Sequence, residues 1–284
     1  MIYTSLIFEG ANGKKLDLFN DRFFDTVNID GLTKAQCSIA SSTTPSMDGD
    51  TVNNIQAVPR GMVFDFYVKS GVEVEMCKRH ILDVLKLKQG AKLTLTQGTG
   101  LDKRKTVITG IIEDVNMPRF NNKVTMQVSF YCSAPFFNDV DAIILQIQRS
   151  IPNHHFVIAF PVGEPVCLGY IDQRMTQTFT NDGDVETGMI ITIVATGNVS
   201  NPVIYRSDGT FIGIIDDLVV NDKVVINTNR GNKTITKNGV SIISKIRPGS
   251  TFLQMETGDN EFTIDTDDGD GFVYFSISFK RRFI

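Results

Sequence analysis

The densest group of residues able to do chemistry lies near the carboxyl end, where Asp265-Thr266-Asp267-Asp268-Gly269-Asp270-Gly271 gathers carboxylates among turn formers. Carboxylate oxygens beside glycine are what calcium loops use. The spacing fails, however: such a loop needs oxygen ligands at its first, third and fifth positions, and Gly269 takes the fifth place counted from Asp265. An acidic hairpin turn between two strands is the expectation, because Asp and Gly favour turns for local reasons. His154-His155 is at most half of a metal site, since adjacent side chains on an extended segment face opposite ways. The remaining histidine, His80, falls on a predicted helix. No serine sits in a G-x-S-x-G elbow. Gln97-Gly98-Thr99-Gly100 lacks the Gly-Lys-Ser/Thr of a phosphate loop and precedes Asp102-Lys103-Arg104-Lys105 rather than a helix, so it reads as a strand-to-strand loop with a basic tip. Cys37, Cys77, Cys132 and Cys167 form no C-x-x-C pair and are expected to be buried free thiols in a reduced compartment. No catalytic, cofactor-binding or metal-ligating residue is assigned, and no cofactor is expected.

The rest of the chain must then be read for architecture. At 284 residues it is long enough for two domains, and 42% hydrophobic with 21% charged residues places it among folded globular proteins. The core aromatics are mainly Phe (20, against 6 Tyr and no Trp), which carry no polar tip to satisfy. A formal net charge of −4 excludes the cationic field that concentrates nucleic acid. The amino end has no basic segment followed by an unbroken apolar one, so no signal peptide is expected. No apolar run approaches the roughly 20 residues that span a bilayer, so no membrane contact is expected either.

One helix is predicted at 71–88: Ser70-Gly71-Val72-Glu73 fits a capping box, and Cys77, Ile81, Val84 and Leu85 share a face. Strands are predicted at Leu93–Thr96, Thr106–Glu113 and Val124–Tyr131, the last with Val124, Met126, Val128 and Phe130 on one face. The stretch 41–59 is rich in turn formers and reads as a long loop, either a contact arm or a mobile surface loop. Pro135 forbids a ladder from continuing through Ser133–Asp139, which marks a domain boundary near 138. Asp141–Arg149 is apolar, and its length fits a strand or a helix. Beyond Glu186 the pattern is β only: Met189–Ala195, Val224–Asn227, Val240–Ile243 and Phe272–Phe279 alternate with turns, and Asp208-Gly209 and Asn238-Gly239 suit tight hairpins.

These pieces, in this order, resemble the distal tail proteins of phages and prophages of Gram-positive bacteria, the siphovirus-type tail components. In the amino half the resemblance is carried by Phe8 and Gly10, Leu32–Ser42, Asp48-Gly49, Pro59-Arg60 leading into Val63–Val68, the helix, and Cys132-Ser133-Ala134-Pro135-Phe136-Phe137. In the carboxyl half it is carried by Glu186-Thr187-Gly188-Met189, Thr196-Gly197, Asn201-Pro202, Asn221-Asp222, Ile226-Asn227-Thr228, Gly231-Asn232-Lys233, Ser250-Thr251-Phe252-Leu253 and Gly258-Asp259-Asn260.

The resemblance implies a mainly β protein of two domains. Residues 1–138 would form a sandwich or barrel-like tail domain with one helix that closes into a homohexameric ring, and 139–284 a galectin-like, jelly-roll β-sandwich. It implies a virion structural protein of the tail tip or baseplate, assembled in the bacterial cytoplasm. Its partners would be the tail tube protein, the tail-associated hub protein and a receptor-binding protein, around a channel through which DNA passes without specific binding. Subunit contacts are expected in the 41–59 segment, with Asp48, Asn53 and Asn54, and at the basic tip of Lys103, Arg104 and Lys105. Two alternatives are a carbohydrate-binding module that contacts the host surface and a hydrolase accessory domain. The first is weakened by the lack of Trp, which leaves Tyr or Phe to stack on a sugar.

Overall fold

The structure, a computed structural model, describes residues 3–33, 35–43, 48–98, 103–117, 124–147, 150–152, 169–171 and 175–284. The chain divides into two compact units, Met1–Val140 with Phe283–Ile284, and Asp141–Arg282.

The first unit contains β1 (Tyr3–Gly10), β2 (Lys15–Asp17), β3 (Phe24–Asp30), β4 (Cys37–Thr43), β5 (Asp50–Ala57) and β6 (Arg60–Val68). Helix α1 (Val74–Val84) follows, then β7 (Gly90–Gln97), β8 (Arg104–Asn116), β9 (Thr125–Cys132) and β10 (Phe137–Asp139). Its main sheet runs in the order β2-β1-β7-β8-β9-β6-β3, antiparallel at every step. The period-2 pattern explains why: Met62, Phe64 and Phe66 of β6 and Met126, Val128 and Phe130 of β9 all point into one core. Phe8 stands edge-on to both Phe64 and Phe130, with ring centroids 4.9 and 5.1 Å apart. Each such Phe stabilises the unit by roughly 1.5–3 kcal/mol through burial, and edge-on contact adds about 0.5–1.5 kcal/mol. On the opposite face Asp65 accepts from Asn28 and Gln127, a polar ladder across β3, β6 and β9 that fixes their register.

Helix α1 buries Cys77, Ile81 and Val84 as expected, but it is shorter than 71–88 at both ends. Ser70 and Gly71 are spent on a turn closed by Val72 N–H donating to Lys69 C=O at 3.1 Å. Glu73, extended and without a side-chain cap, therefore begins the helix instead of a capping box. Leu85, fully buried, leaves helical geometry so that Lys86–Gln89 can turn into β7.

The second unit contains β11 (Ile143–Ile147), β12 (Ser150–Pro152), β13 (Gly169–Ile171), β14 (Met175–Asn181), β15 (Thr187–Ala195), β16 (Val199–Ser200), β17 (Val203–Arg206) and β18 (Phe211–Gly213). It continues with β19 (Asp217–Leu218), β20 (Lys223–Asn227), β21 (Thr234–Lys237), β22 (Val240–Ser241), β23 (Gln254–Met255), β24 (Gly258–Asp265) and β25 (Val273–Phe279). One sheet runs β11-β25-β15-β20-β21-β22 and another β14-β24-β17-β18. Ile191, Val224, Phe275 and Ile277 from the first meet Phe179, Ile204, Phe262 and Ile264 from the second in one core, which makes this unit a β-sandwich. The ambiguous run at 141–149 contributes a strand, β11. The last strand, β26 (Arg282–Phe283), pairs with β10, and Phe283 is buried in the core of the first unit.

Asn238 and Gly239 both have positive φ, as the two-residue turn between β21 and β22 requires. The Asn238 side chain donates to Asp222 at 2.8 Å and accepts from Lys223 N–H at 2.9 Å. Asp222 also accepts from Val219 N–H at 2.9 Å and lies 3.0 Å from Lys237 Nζ. The Val219 bond, then that of Asn238, hold the Asp222 carboxyl down at about 2.

Because this folded pKa lies below the unfolded value of about 3.9, Asp222 stabilises the protein above pH 4 and loses that contribution as pH falls toward 2. Chemical denaturation of wild type and Asp222→Asn should show a stability difference at pH 5 that shrinks as pH falls below 4 and approaches zero only below about pH 2. A difference that stays constant across this range would contradict the assigned bonds.

Candidate functional site

The 41–59 segment is not a loop. β4 and β5 pair as an antiparallel ribbon from Cys37↔Ala57 at its root to Thr43↔Asp50 near its tip, and they pair with no other described strand. Every described residue of β4, and all of β5 but Ala57, is exposed. Ile39 and Ile55 lie directly opposite each other at 61% and 62% exposure. Val52 is three residues from Ile55, an odd separation that would put it on the other face of a regular strand. The register shifts between Ala40 and Ser41, leaving Asn53 as the extra residue of a bulge, and Val52 opposite Ser41 returns to the Ile39 face. One face therefore presents Cys37, Ile39, Val52, Ile55 and Ala57 in a row. A two-stranded ribbon has no core of its own and is at best marginal in water, so an apolar row on such a ribbon is a surface built for burial elsewhere.

The tip is polar. Asp50 accepts from Ser41 Oγ at 3.1 Å and Thr43 Oγ1 at 2.8 Å, which closes the ribbon. Asp48 is exposed beyond it, and Asn54 faces away from the isoleucines opposite Ala40. The root is rigid. β3 and β6, which deliver and receive the arm, are sheet neighbours. Gly31 has φ +80, and a Cβ there would lie 2.2 Å from Gly61 C=O, so only glycine lets the chain turn against β6. Arg60 is 3% exposed, donates from Nη1 to Leu32 C=O at 2.9 Å, and lies over the Phe137 ring at 5.1 Å. Burial pulls its pKa below the usual arginine value.

The other expected contact group is differently built from the sequence reading. Lys103 is exposed ahead of β8, but Arg104 and Lys105 are strand residues paired with Gln97 and Thr96, because the β7–β8 ladder extends further than the Thr106 start suggests. Arg104 is held over the Phe283 ring at 4.1 Å. Thr99, Gly100 and Asp102 of the glycine-rich loop lie outside the described residues, as do His154-His155 and Cys167. The acidic stretch 265–271 is not a hairpin turn: it carries the chain from β24 in one sheet to β25 in the other. There Asp267 accepts from Asn201 at 2.8 Å, and Ser200 N–H donates to Asp268 C=O at 2.9 Å. Cys37 is exposed on the arm and corrects the expectation of four buried thiols, whereas Cys77 and Cys132 are free and buried. Sequence reasoning missed Ile39, Val52, Ile55 and Arg60. The signal available was β-branched content (Thr43, Thr51, Val52, Ile55) flanking Asp48-Gly49, which is that of a hairpin.

Residues 182–283 match the model of a family described as siphovirus-type tail component, C-terminal domain. Among solved structures, the crystal structure of the SPP1 Dit (gp 19.1) protein, described as a paradigm of hub adsorption apparatus in phages infecting Gram-positive bacteria, is similar at a TM-score of 0.69 and 13% identity over 100% of both chains. The phage P2 baseplate in its activated conformation with Ca gives a TM-score of 0.48 at 12% identity, over 99% of this chain and 98% of that one. No curated protein matches the sequence. The resemblance to distal tail proteins is thus borne out as a likeness: residues 182–283 match the siphovirus-type tail component model, and the whole chain has a mainly β, Dit-like fold.

Burial pushes the thiol of Cys77 up to about 11 and that of Cys132 up to about 12. A maleimide at pH 7 is therefore expected to modify Cys37 in dilute folded protein, with Cys77 and Cys132 reacting only on unfolding, as read by peptide mass mapping. Equal rates at Cys37 and Cys132 would contradict this arrangement.

Proposed function

We infer that the chain is a structural subunit of a phage tail tip or baseplate that closes into a ring, six copies by the family resemblance, through its β4–β5 arm. The ring joins the tail tube to the hub and to host-recognition proteins, and its work is assembly rather than catalysis. The apolar face of the arm carries this reading: Ile39, Val52 and Ile55 are more than half exposed on a ribbon that has nothing of its own to bury them against. Likeness in fold to SPP1 Dit supports it. Residues 1–138 are the ring-forming part, with Asp48, Asn53 and Asn54 on the arm and Lys103, Arg104 and Lys105 at the start of β8 as contact residues. Residues 139–284, read as a galectin-like sandwich, dock neighbouring tail proteins. A head-to-tail ring buries a different patch on each side of every subunit, and closure demands a fixed aim, which the stiff root of the arm provides. Six copies at −4 carry about −24 formal charges, which suits a channel that lets DNA pass without holding it.

A second reading, saccharide binding by the carboxyl-terminal unit, is favoured by exposed Phe272 and Tyr274, which closely follow the carboxylates of 265–268 in sequence. A glycan screen on the monomer separates the two readings.

Light scattering coupled to size exclusion should give a concentration-dependent species of about 189 kDa, six times 31.5 kDa. Ile39→Ser with Ile55→Ser should change monomer stability by under about 0.5 kcal/mol per site, since both side chains are exposed. Assembly of the double variant should require at least about tenfold more protein. Wild-type assembly by the variant would move the contact away from the arm.

A further inference from the structure

Two segments that carry the sequence resemblance, Pro59-Arg60 and Cys132–Phe137, meet at the root of the arm around one side chain. Arg60 pairs with Cys132 across β6 and β9, and its guanidinium lies over the Phe137 ring at 5.1 Å. With Gly31, Gln36, Val58 and Pro135 it lines a cavity of about 220 Å³. A guanidinium is always charged and offers five N–H donors. Here Nη1 reaches Leu32 C=O, but Nε and Nη2 are buried with no hydrogen-bond partner among the described residues. Asp30 also lines the cavity, yet its carboxylate accepts from Gly31 N–H at 2.9 Å, and among the described residues it makes no hydrogen bond to Arg60. A desolvated cation with idle donors is costly unless a counter-charge reaches it, and burial lowers its pKa without removing its charge.

We propose that Arg60 and its cavity receive a carboxylate from the adjacent copy of the chain, supplied by Asp48 at the tip of that copy's β4–β5 arm. The inference rests on the ring reading above. A carboxylate is the acceptor that matches two guanidinium N–H groups at once. The cavity is large enough to admit one, since a water molecule claims only about 30 Å³. Of the described tip carboxylates, Asp50 has spent both oxygens on Ser41 and Thr43, whereas Asp48 is exposed with no partner among the described residues. A seven-residue strand separates tip from root by about 20 Å. Asp48 therefore cannot reach Arg60 of its own chain, and the contact has to run between copies. A tip-to-root contact is heterologous, the kind that propagates around a ring.

The test is the concentration midpoint of assembly, by light scattering, for the full chain as wild type, Asp48→Asn, Arg60→Met and the double variant. Each single change should raise the midpoint at least about tenfold. The double variant should be no worse than the weaker single, because both remove one interaction. If Arg60→Met fails to fold, Asp48→Asn alone decides, since its exposed tip position leaves the monomer unaffected. Assembly of Asp48→Asn at the wild-type midpoint overturns the inference and leaves the ring reading standing. A wild type that stays monomeric at every concentration overturns the ring reading, and this inference with it.

Discussion

On the ring reading proposed above, an exposed two-stranded arm can act only if its root is fixed, and the packing of the amino-terminal unit meets that requirement. The arm leaves after β3 and returns in β6, and these strands are locked side by side by the Phe24–Phe66 contact within the core and by the Asn28–Asp65–Gln127 ladder outside it. Gly31 packed against Gly61 then sets the direction of departure. Phe8, Phe64 and Phe130 pack together in the core of the sheet from which the arm departs. Rigidity in the sheet and exposure in the arm are thus two halves of one device, in which the sheet stabilises what the arm alone cannot.

What the sequence made legible follows the length of each pattern. β6, β9 and β25 alternate over seven residues or more with Phe on one side, and their faces are the buried ones. The arm has only Ile39, Val52 and Ile55 among serines, threonines and asparagines, and the odd spacing of the last two hides their common face. A period-2 reading cannot anticipate a bulge, because the bulge is the departure from period 2. The acidic 265–271 stretch fails for another reason: turn composition marks a reversal but not whether the chain returns to the same sheet or crosses to its partner. Arg60 was visible as part of a motif, while its buried, half-satisfied guanidinium depends on β9 and Phe137, far away in sequence.

In the carboxyl-terminal unit the polar residues that carry the resemblance prove to be internal pins. Thr228 exchanges bonds with Met189 backbone at 2.9 and 3.0 Å, and Asn260 both accepts from Glu256 N–H and donates to Glu256 C=O. Asp222 joins one turn to the next through Val219 and Asn238. Buried polar groups with all partners in place rigidify a sandwich without specifying what binds outside it. The fold itself is shared with SPP1 Dit at 13% identity.

Ring closure through the arm requires its apolar face to become buried on self-association. Backbone hydrogen exchange across residues 37–57, compared between monomer and the 189 kDa species (six times 31.5 kDa), tests this most directly. Strong slowing across β4, β5 and the Gly31–Arg60 root on assembly is the predicted result. An assembled ring in which these amides exchange as fast as in the monomer would contradict it.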